Sequence, residues 1–433
     1  MAQVHAYQLS EIPGFKDILL NNKTEKINFT VTDYVAKNNN NKYKIVRYDK
    51  DILSIDLIPV TGLLRSVIIN DKSQVISFAP PKSIPYDSFV QKYQEPLSHG
   101  IIAEEFVEGT MINVFWDTSS GLNGAWEIST RNTVGGDVSF YKYNDKSKEK
   151  SSENSSENSS EKNTNKTFRE MFLEAAQINN FNFNMLNPTY CYSFVLQHPN
   201  NRIVVPFKQA QLYLVGVYEI MNTPAGFVHV YPRDLQVWNC WGTTGIKFPQ
   251  TYEFTSYEEL KKKYASMNTP YDILGVVLKN KYTLERCKLR NPVYEYVRHL
   301  RGNQPKIQYQ YLELRKEGKV GDFLKFYPEN KKDFSYFRDR LHDFTNALYQ
   351  NYINCYIKKQ SPLKEFPAHF RTHMFNIHKS YIDVLKPKNE YVTNTVVIKY
   401  VNDMHSSLQM YSLNACLRTR HIDFVKADSK IYP

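Results

Sequence analysis

Short apolar runs recur through the first two thirds of the chain, and within 43–47 and 52–58 apolar and polar positions alternate as in a β-strand. Successive side chains of a strand point to opposite faces, so a half-buried strand shows a period of two. The runs are rich in β-branched and aromatic residues and are broken by Gly, Pro and Asn, as in paired antiparallel strands. The predicted strands are 43–47, 52–58, 65–69, 75–78, 101–107, 111–116, 125–130 and 211–219.

The spacing changes after Asn303, where apolar residues recur every three or four positions. This period predicts helices within 322–356 and 367–385. One apolar face is formed by Phe370, Met374, Ile377, Tyr381 and Val384. A further helix is predicted to begin at Thr167, because Glu170 stands in the capping-box position.

These patterns predict an α+β protein with two domains. An antiparallel-sheet domain is expected over 1–302, and a helical domain over 303–433. Residues 146–166 contain repeated SSEN units and no apolar side chain. Such a segment cannot offset the entropy cost of ordering, so it is predicted to be a disordered insertion at the surface.

Composition and charge narrow the functional classes. The 433 residues are 42% hydrophobic, and 55 Lys and Arg against 44 Asp and Glu give a formal net charge of +11. A basic chain favours polyanionic partners, with nucleic acid first. A merely soluble basic protein is the competing interpretation of the charge alone.

Cysteine usage and hydropathy indicate a compartment. The five cysteines show no CxxC pair and no framework spacing, which favours a reducing environment. There is no apolar leader at the first residues and no apolar run of membrane-spanning length. We therefore expect a cytoplasmic protein without a membrane segment.

The stretch 101–136 carries the most informative motif. Two β-rich runs flank a corner of sequence Glu108-Gly109-Thr110, which includes the end of the tetrad Phe106-Val107-Glu108-Gly109, and a third run ends at Arg131. This stretch resembles the corresponding region of the phage-type ATP-dependent RNA ligases, a family of covalent nucleotidyltransferases. Those enzymes have Lys-x-Asp-Gly at the corner, and the lysine forms a phosphoramide with AMP. Here Phe106 stands at the lysine position.

Further segments resemble the same family in the same order. Upstream, Arg65 and Lys82 match its cations. The run from Pro199 to Val204 matches a Pro-x-Asn-Arg-Ile-Val motif, which includes Arg202 and aligns Val195 with a family glutamate. Downstream, the segment 271–279 aligns Leu274 with a second family glutamate, and the closing basic strand follows. The resemblance covers about two thirds of the chain.

The resemblance implies a site that has kept cations and lost its reactive groups. A phenylalanine has no lone pair for attack on phosphorus, and neither Val195 nor Leu274 can hold a metal ion. The residues that would bind nucleotide or phosphate are Arg65, Lys82, Glu108, Gly109, Arg131, Arg202, Lys279, Lys288 and Arg290. Glu104 and Glu105 lie on the same corner strand. No catalytic residue and no metal ligand are predicted.

Three hypotheses follow from these residues. The first is an RNA-ligase-like protein that binds RNA ends or nucleotide through a basic pocket without ligation. The second is an active ATP-dependent RNA ligase that uses ATP, Mg²⁺ and another lysine, for which Lys82 is the nearest upstream candidate. The third is a structural or interaction protein on the same fold. The corner also resembles a ligase-like branch of large DNA viruses, which would place the protein in host cytoplasm or in the virion.

The three histidines His369, His373 and His378 are spaced four and five residues apart. Two histidines on one helical face can bind zinc. The surrounding aromatic residues and the lack of an intervening glutamate favour helix packing instead.

Overall fold

The structure, a computed structural model, describes residues 6–22, 27–140, 166–235 and 239–415. The chain divides into two compact units, Met1–Arg298 and His299–Pro433. The predicted domain boundary at 302/303 lies four residues beyond this division, which falls within helix α5, Pro292–Arg301. Of the low-complexity segment 146–166, all but Lys166 lies outside the described residues.

The first unit contains the strands. In chain order they are β1 Tyr7–Gln8, β2 Phe29–Val35, β3 Lys42–Tyr48, β4 Val67–Asn70, β5 Val75–Ser77, β6 Ile101–Glu105, β7 Thr110–Asp117, β8 Ala125–Ser129, β9 Tyr190–Gln197, β10 Gln211–Asn222, β11 Val228–Arg233, β12 Thr251–Tyr252, β13 Gly275–Asn280 and β14 Arg286–Arg290.

The strands form three antiparallel sheets. The first has six strands in the order β1-β11-β10-β9-β7-β8. The second has the order β12-β6-β13-β14, and the third is the meander β2-β3-β4-β5. The helices of this unit are α1 Phe15–Leu19, α2 Tyr86–Lys92, α3 Phe168–Ile178 and α4 Tyr257–Tyr264, together with the start of α5.

The second unit is helical. It contains α6 Ile307–Lys316, α7 Val320–Phe326, α8 Lys331–Tyr352, α9 Ala368–Ser380, α10 Asn394–Asp403 and α11 Ser406–Leu413. Antiparallel sheets followed by this helical region confirm the predicted α+β class. No helix in the described part of the chain has both the length and the apolar content needed to cross a bilayer.

The β2–β5 meander packs against the six-stranded sheet, since Ile45 and Ile68 share an apolar cluster with Val230. Helix α3 places Met171 and Phe172 against β9 and β10 of the six-stranded sheet. The predicted capping box at its start is confirmed, since the Thr167 side chain accepts from the Glu170 amide and the Glu170 carboxylate accepts from the Thr167 amide. Helices α2 and α4 cover the β6–β13–β14 sheet with Phe89 and other buried side chains.

Two local predictions are wrong. Residues 52–58 form turns and a short 3₁₀ helix at Ile55–Leu57 instead of a strand, and Ile55 is 57% exposed. An alternating pattern without a sheet to cover it does not hold a strand. The predicted helical face on α9 ends early, because Tyr381–Leu385 forms a π-helical segment and Val384 is exposed. The wider turn breaks the 3.6-residue spacing.

Candidate functional site

The corner at residues 106–109 connects two different sheets instead of closing a hairpin. Strand β6 pairs with β12 and β13, whereas β7 pairs with β8 and β9. The chain therefore crosses from one sheet to the other immediately after Glu105. This crossing opens a cavity of ≈ 300 Å³ between the sheets. It is lined by Arg65, Glu104, Glu105, Phe106, Val107, Glu108, Gly109, Met111, Val195, Ile203, Val215, Pro249, Leu274, Val277, Lys279, Arg286, Lys288, Arg290, Tyr294 and Arg298.

Two glycines allow the backbones around this cavity to approach closely. Gly109 has φ +147, and a Cβ there would lie 2.5 Å from the Leu196 carbonyl oxygen. Gly275 has φ +131, and a Cβ there would collide with the Leu289 carbonyl oxygen. Both positions require glycine for backbone reasons, whatever the cavity binds.

Three cations, Arg65, Arg286 and Lys288, line the inner wall of the cavity and have no carboxylate partner in the part of the chain that the structure describes. Arg65 donates from Nη1 to the Pro80 carbonyl oxygen at 3.4 Å, and Arg286 donates from Nε to the Pro81 carbonyl oxygen at 3.0 Å. Among the described residues, neither arginine nor Lys288 forms an ion pair. Neutral carbonyl dipoles are therefore the hydrogen-bond partners of these guanidinium groups.

Burial and mutual repulsion perturb this group. Burial, and then the neighbouring Arg286, Arg65 and Arg290, lower the pKa of Lys288 to about 6. Burial likewise lowers the pKa of Arg65 to about 10, with a contribution from Arg286. These cations lower one another's pKa, so an anion bound beside them would stabilise their charged forms.

Phe106 lies next to these cations. Lys288 Nζ is 4.4 Å from the centre of the Phe106 ring, and the Arg290 guanidinium carbon is 5.4 Å from it. The Phe106 amide donates to the Gly275 carbonyl oxygen at 3.2 Å. The Phe106 ring is thus a cation–π partner of Lys288 and Arg290, and its backbone is held by pairing with Gly275. Residue 106 itself offers no nucleophile.

The outer cations are paired with carboxylates. Lys279 Nζ lies 2.5 Å from Glu104, and Arg290 lies 2.7 Å from Glu295. Arg298 reaches the same Glu295 at 3.6 Å. The cations at the rim of the cavity are therefore paired with carboxylates, whereas those of the inner wall have no carboxylate partner among the residues described.

The acidic residues of the lining are directed to other partners. Glu108 is buried and accepts from the Val204 and Val205 amides at 2.9 and 3.1 Å. Burial raises the pKa of the Glu108 carboxyl, and these two amides and the Tyr294 hydroxyl offset part of the rise. Glu105 accepts from the Gln250 amide at 3.3 Å.

Oxygen and nitrogen ligands for a metal do not converge in this part of the molecule. Within the described residues, no group of three or more His, Cys, Asp or Glu side chains is arranged to hold a metal ion. Val195 and Leu274, the positions aligned with family glutamates, both line the cavity with apolar side chains. In the second unit, His373 is hydrogen-bonded at 3.0 Å to both Tyr400 and Ser412.

The cavity brings together six of the nine residues predicted to bind phosphate or nucleotide, namely Arg65, Glu108, Gly109, Lys279, Lys288 and Arg290. Lys82 is exposed and lines a separate cavity of ≈ 400 Å³. Arg131 lies over the Tyr48 ring at 5.0 Å. Arg202 donates from Nε to the Val204 carbonyl oxygen at 2.9 Å. None of these three is part of the lining.

Sequence reasoning missed Arg286, which lines both this cavity and the second one. The signal was present in β14, whose sequence is RCKLR. Residues two apart on a strand share a face, so Arg286, Lys288 and Arg290 point the same way. Tyr294 and Arg298, from α5, were also missed, because a helix following the last motif carries no recognisable pattern toward the cavity.

Comparisons with known proteins give two relatives. The RNA ligase of Rhodothermus phage RM378 is 24% identical over 229 residues, which cover 47% of this chain and 51% of the phage protein. The immediate-early protein ICP-46 homolog of Invertebrate iridescent virus 6 is 23% identical over 185 residues, covering 41% of this chain and 39% of the viral protein. The chain thus spans about half the length of the first relative and about two fifths of the second.

No protein-family model matches the chain. Among solved structures, an archaeal ATP-dependent RNA ligase matches 71% of this chain and 68% of its own, with 13% identity and a TM-score of 0.33. The two sequence relatives support an RNA-ligase-like relationship and a similarity to a protein of a large DNA virus.

Proposed function

We propose that this RNA-ligase-like protein binds the phosphate groups of a nucleotide or an RNA end in the cavity behind Phe106, without ligation. The observation that carries the proposal is the inner wall of Arg65, Arg286 and Lys288, which has no carboxylate partner among the described residues. Partly buried cations without counter-charge are costly, and such groups are retained where a ligand supplies the opposite charge.

Phosphate is the anion that best suits this wall. Two guanidinium groups offer planar, multidentate donors, and a lysine adds a compact donor that rotates freely. Apolar residues such as Met111, Val195 and Val277 line other parts of the cavity. They suit a base or sugar attached to the phosphate better than they suit an inorganic ion.

The proposal excludes the ligase adduct at residue 106. Formation of that adduct requires an amine to attack the α-phosphorus while pyrophosphate leaves. Phe106 supplies a ring face toward two cations instead. Phosphate bound beside it would be held by hydrogen bonds and charge, and would be released unchanged.

The test begins with covalent labelling. The protein is incubated with α-³²P-labelled ATP or GTP and Mg²⁺, denatured, and examined for retained label. We expect none. Binding of a 5′-phosphorylated RNA oligonucleotide is then measured against salt concentration, with the 5′-hydroxyl oligonucleotide as control. Tighter, salt-sensitive binding of the phosphorylated RNA supports the proposal, and equal or absent binding of the two contradicts it.

One observation favours an active enzyme as the second candidate. Lys288 lines the cavity with its Nζ beside the Phe106 ring, whereas Lys82 does not line it. A lysine with a pKa of about 6 is largely neutral at pH 7. If label is retained, peptide mapping should find it on Lys288, and Lys288→Arg should abolish it while Lys82→Arg should not.

A further inference from the structure

We propose that the cavity selects a metal-free, fully ionised polyphosphate over the Mg²⁺ complex of the same ligand, so that Mg²⁺ competes with binding. This inference rests on the proposed function and specifies the ionic form of the ligand. It follows from where the charges of the cavity lie and which of them are already neutralised.

Arg65 and Arg286 face the ligand with positive charge that no carboxylate among the described residues pairs, and Lys288 gains a proton when an anion binds beside it. Arg65 and Arg286 contact only carbonyl oxygens among their hydrogen-bond partners described above, and Lys288 contacts the Phe106 ring. A free triphosphate carries about four negative charges, and bound Mg²⁺ removes about two of them. The cations of the inner wall thus provide the positive charge that a metal ion would otherwise supply to the phosphates.

The negative charge needed to hold a metal is engaged elsewhere. Glu104 is paired with Lys279 at 2.5 Å, and Glu108 is saturated by two backbone amides and Tyr294. Glu105 accepts from the Gln250 amide. Mg²⁺ is bound through carboxylates, phosphates and ordered waters, and the described side chains of this lining do not present carboxylates that converge on one point.

Two lining positions of the cavity carry apolar side chains where the ligase family has glutamates. Val195 and Leu274 are only 6% and 8% exposed, and both face the cavity. The hydration shell of a phosphate-bound Mg²⁺ would meet methyl groups there instead of hydrogen-bond acceptors. Hydrated Mg²⁺ gives up its waters reluctantly. The Mg²⁺ complex is therefore attracted less strongly by the cations than the metal-free ligand is, and it fits the apolar part of the cavity less well.

The experiment measures ATP binding by calorimetry at pH 7, in chelator and in excess Mg²⁺, with the ionic strength kept equal because added salt screens charge by itself. We expect the dissociation constant to be at least about tenfold larger with Mg²⁺. Equal or tighter binding with Mg²⁺ overturns the inference but leaves the proposed function standing. Absence of binding in both buffers overturns the two together.

Variants sharpen the test. Leu274→Glu adds a carboxylate to the lining, and Leu274→Gln adds the same bulk without charge. The ratio of the dissociation constants with and without Mg²⁺ should fall in the glutamate variant alone. An unchanged ratio in a folded Leu274→Glu protein contradicts the inference.

Lys288→Met provides an independent check that does not place a new charge in the cavity. It should reduce the same ratio, because one of the inner cations is lost. Lys281→Met is its matched control, since Lys281 is exposed on the turn of the same β13–β14 hairpin and does not line the cavity. The inference fails if the two lysine variants change the ratio equally.

Discussion

The two units of this protein differ in their net charge and in how their cations are paired. Residues 1–298 contain 33 Lys and Arg against 31 Asp and Glu, a net charge of +2, while residues 299–433 contain 22 against 13, a net charge of +9. Yet the nearly neutral unit holds the uncompensated inner wall of the cavity. In the helical unit, cations such as Lys325 and Arg338 are exposed and pair with neighbouring acids.

The net charge of a unit therefore does not indicate where a site for an anionic ligand lies. The overall basicity of the chain is due largely to the helical unit, where solvent and salt screen the charges. The candidate site depends on a few partly buried cations, because the nearby carboxylates Glu104 and Glu108 interact with other groups. The predictions below test that contrast.

The largest effect is expected from removing the buried carboxylate. Glu108→Ala leaves the Val204 and Val205 amides unpaired in a buried setting, which should lower the free energy of unfolding of the first unit by about 3 kcal/mol. All four tryptophans, at positions 116, 126, 238 and 241, lie in this unit. Tryptophan fluorescence in urea therefore reports on its unfolding alone.

The control for this experiment is Asp322→Ala in the helical unit. Asp322 is 42% exposed and paired with Lys325, so its loss should cost below about 0.5 kcal/mol by circular dichroism. Similar losses for the two variants would remove the contrast between buried and surface charge.

Loss of one inner cation should weaken ligand binding strongly. Lys288→Met is expected to reduce affinity for a 5′-phosphorylated RNA by about tenfold to a hundredfold, the range of a charge-assisted hydrogen bond. Lys325→Met, in the helical unit, should change it by less than about twofold. Fluorescence anisotropy measures the RNA affinity of both variants. A larger effect at Lys325 would indicate that the RNA binds to the helical unit instead.

The affinity should also depend on pH through Lys288. Its pKa is about 6 in the free protein, and a bound anion raises it, so binding takes up a proton above pH 6. Affinity should fall about threefold to tenfold from pH 6.5 to 8. Comparing wild type with Lys288→Met at each pH cancels the ionisation of the ligand itself. Parallel pH profiles for the two proteins would exclude this coupling.

The smallest effect concerns the helical unit. Burial, and then His369, lower the pKa of His373, so the unfolded chain binds a proton more readily than the folded one. Stability of this unit should therefore decrease as pH falls below the ordinary histidine pKa, by less than about 1.4 kcal/mol per pH unit. Hydrogen exchange of α9 and α11 measures it.

The matched variants are His373→Phe, which should flatten this pH dependence, and His342→Gln, which should leave it unchanged because His342 is exposed on α8. Equal pH dependence in wild type and His373→Phe would assign the effect to other groups.

Local patterns predicted the elements better than their assembly. The run of β-branched and aromatic residues in β7 and the capping box at Thr167 depend on neighbouring residues and appear in the structure. The corner at Glu108 and Gly109 had the residues of a tight turn, but its strands pair with distant partners in two sheets. Nothing within 101–117 specifies those partners, since they come from β9 and β13.

Part of the candidate site could be predicted from resemblance and strand periodicity together. Lys288 and Arg290 were predicted from the resemblance to the closing basic strand of the ligase family, and the period of two in β14 places Arg286 on the same face. Arg131 and Lys82 follow motifs of the right kind but are directed to Tyr48 and to a second cavity. Side-chain direction beyond the end of a strand depends on tertiary packing, which a single sequence does not encode locally.

Arg286 lines two cavities, and its positive charge attracts an anion in either of them. A negatively charged occupant of one cavity would reduce the attraction that Arg286 exerts on an anion in the other. Any substitution at this position therefore alters both cavities together.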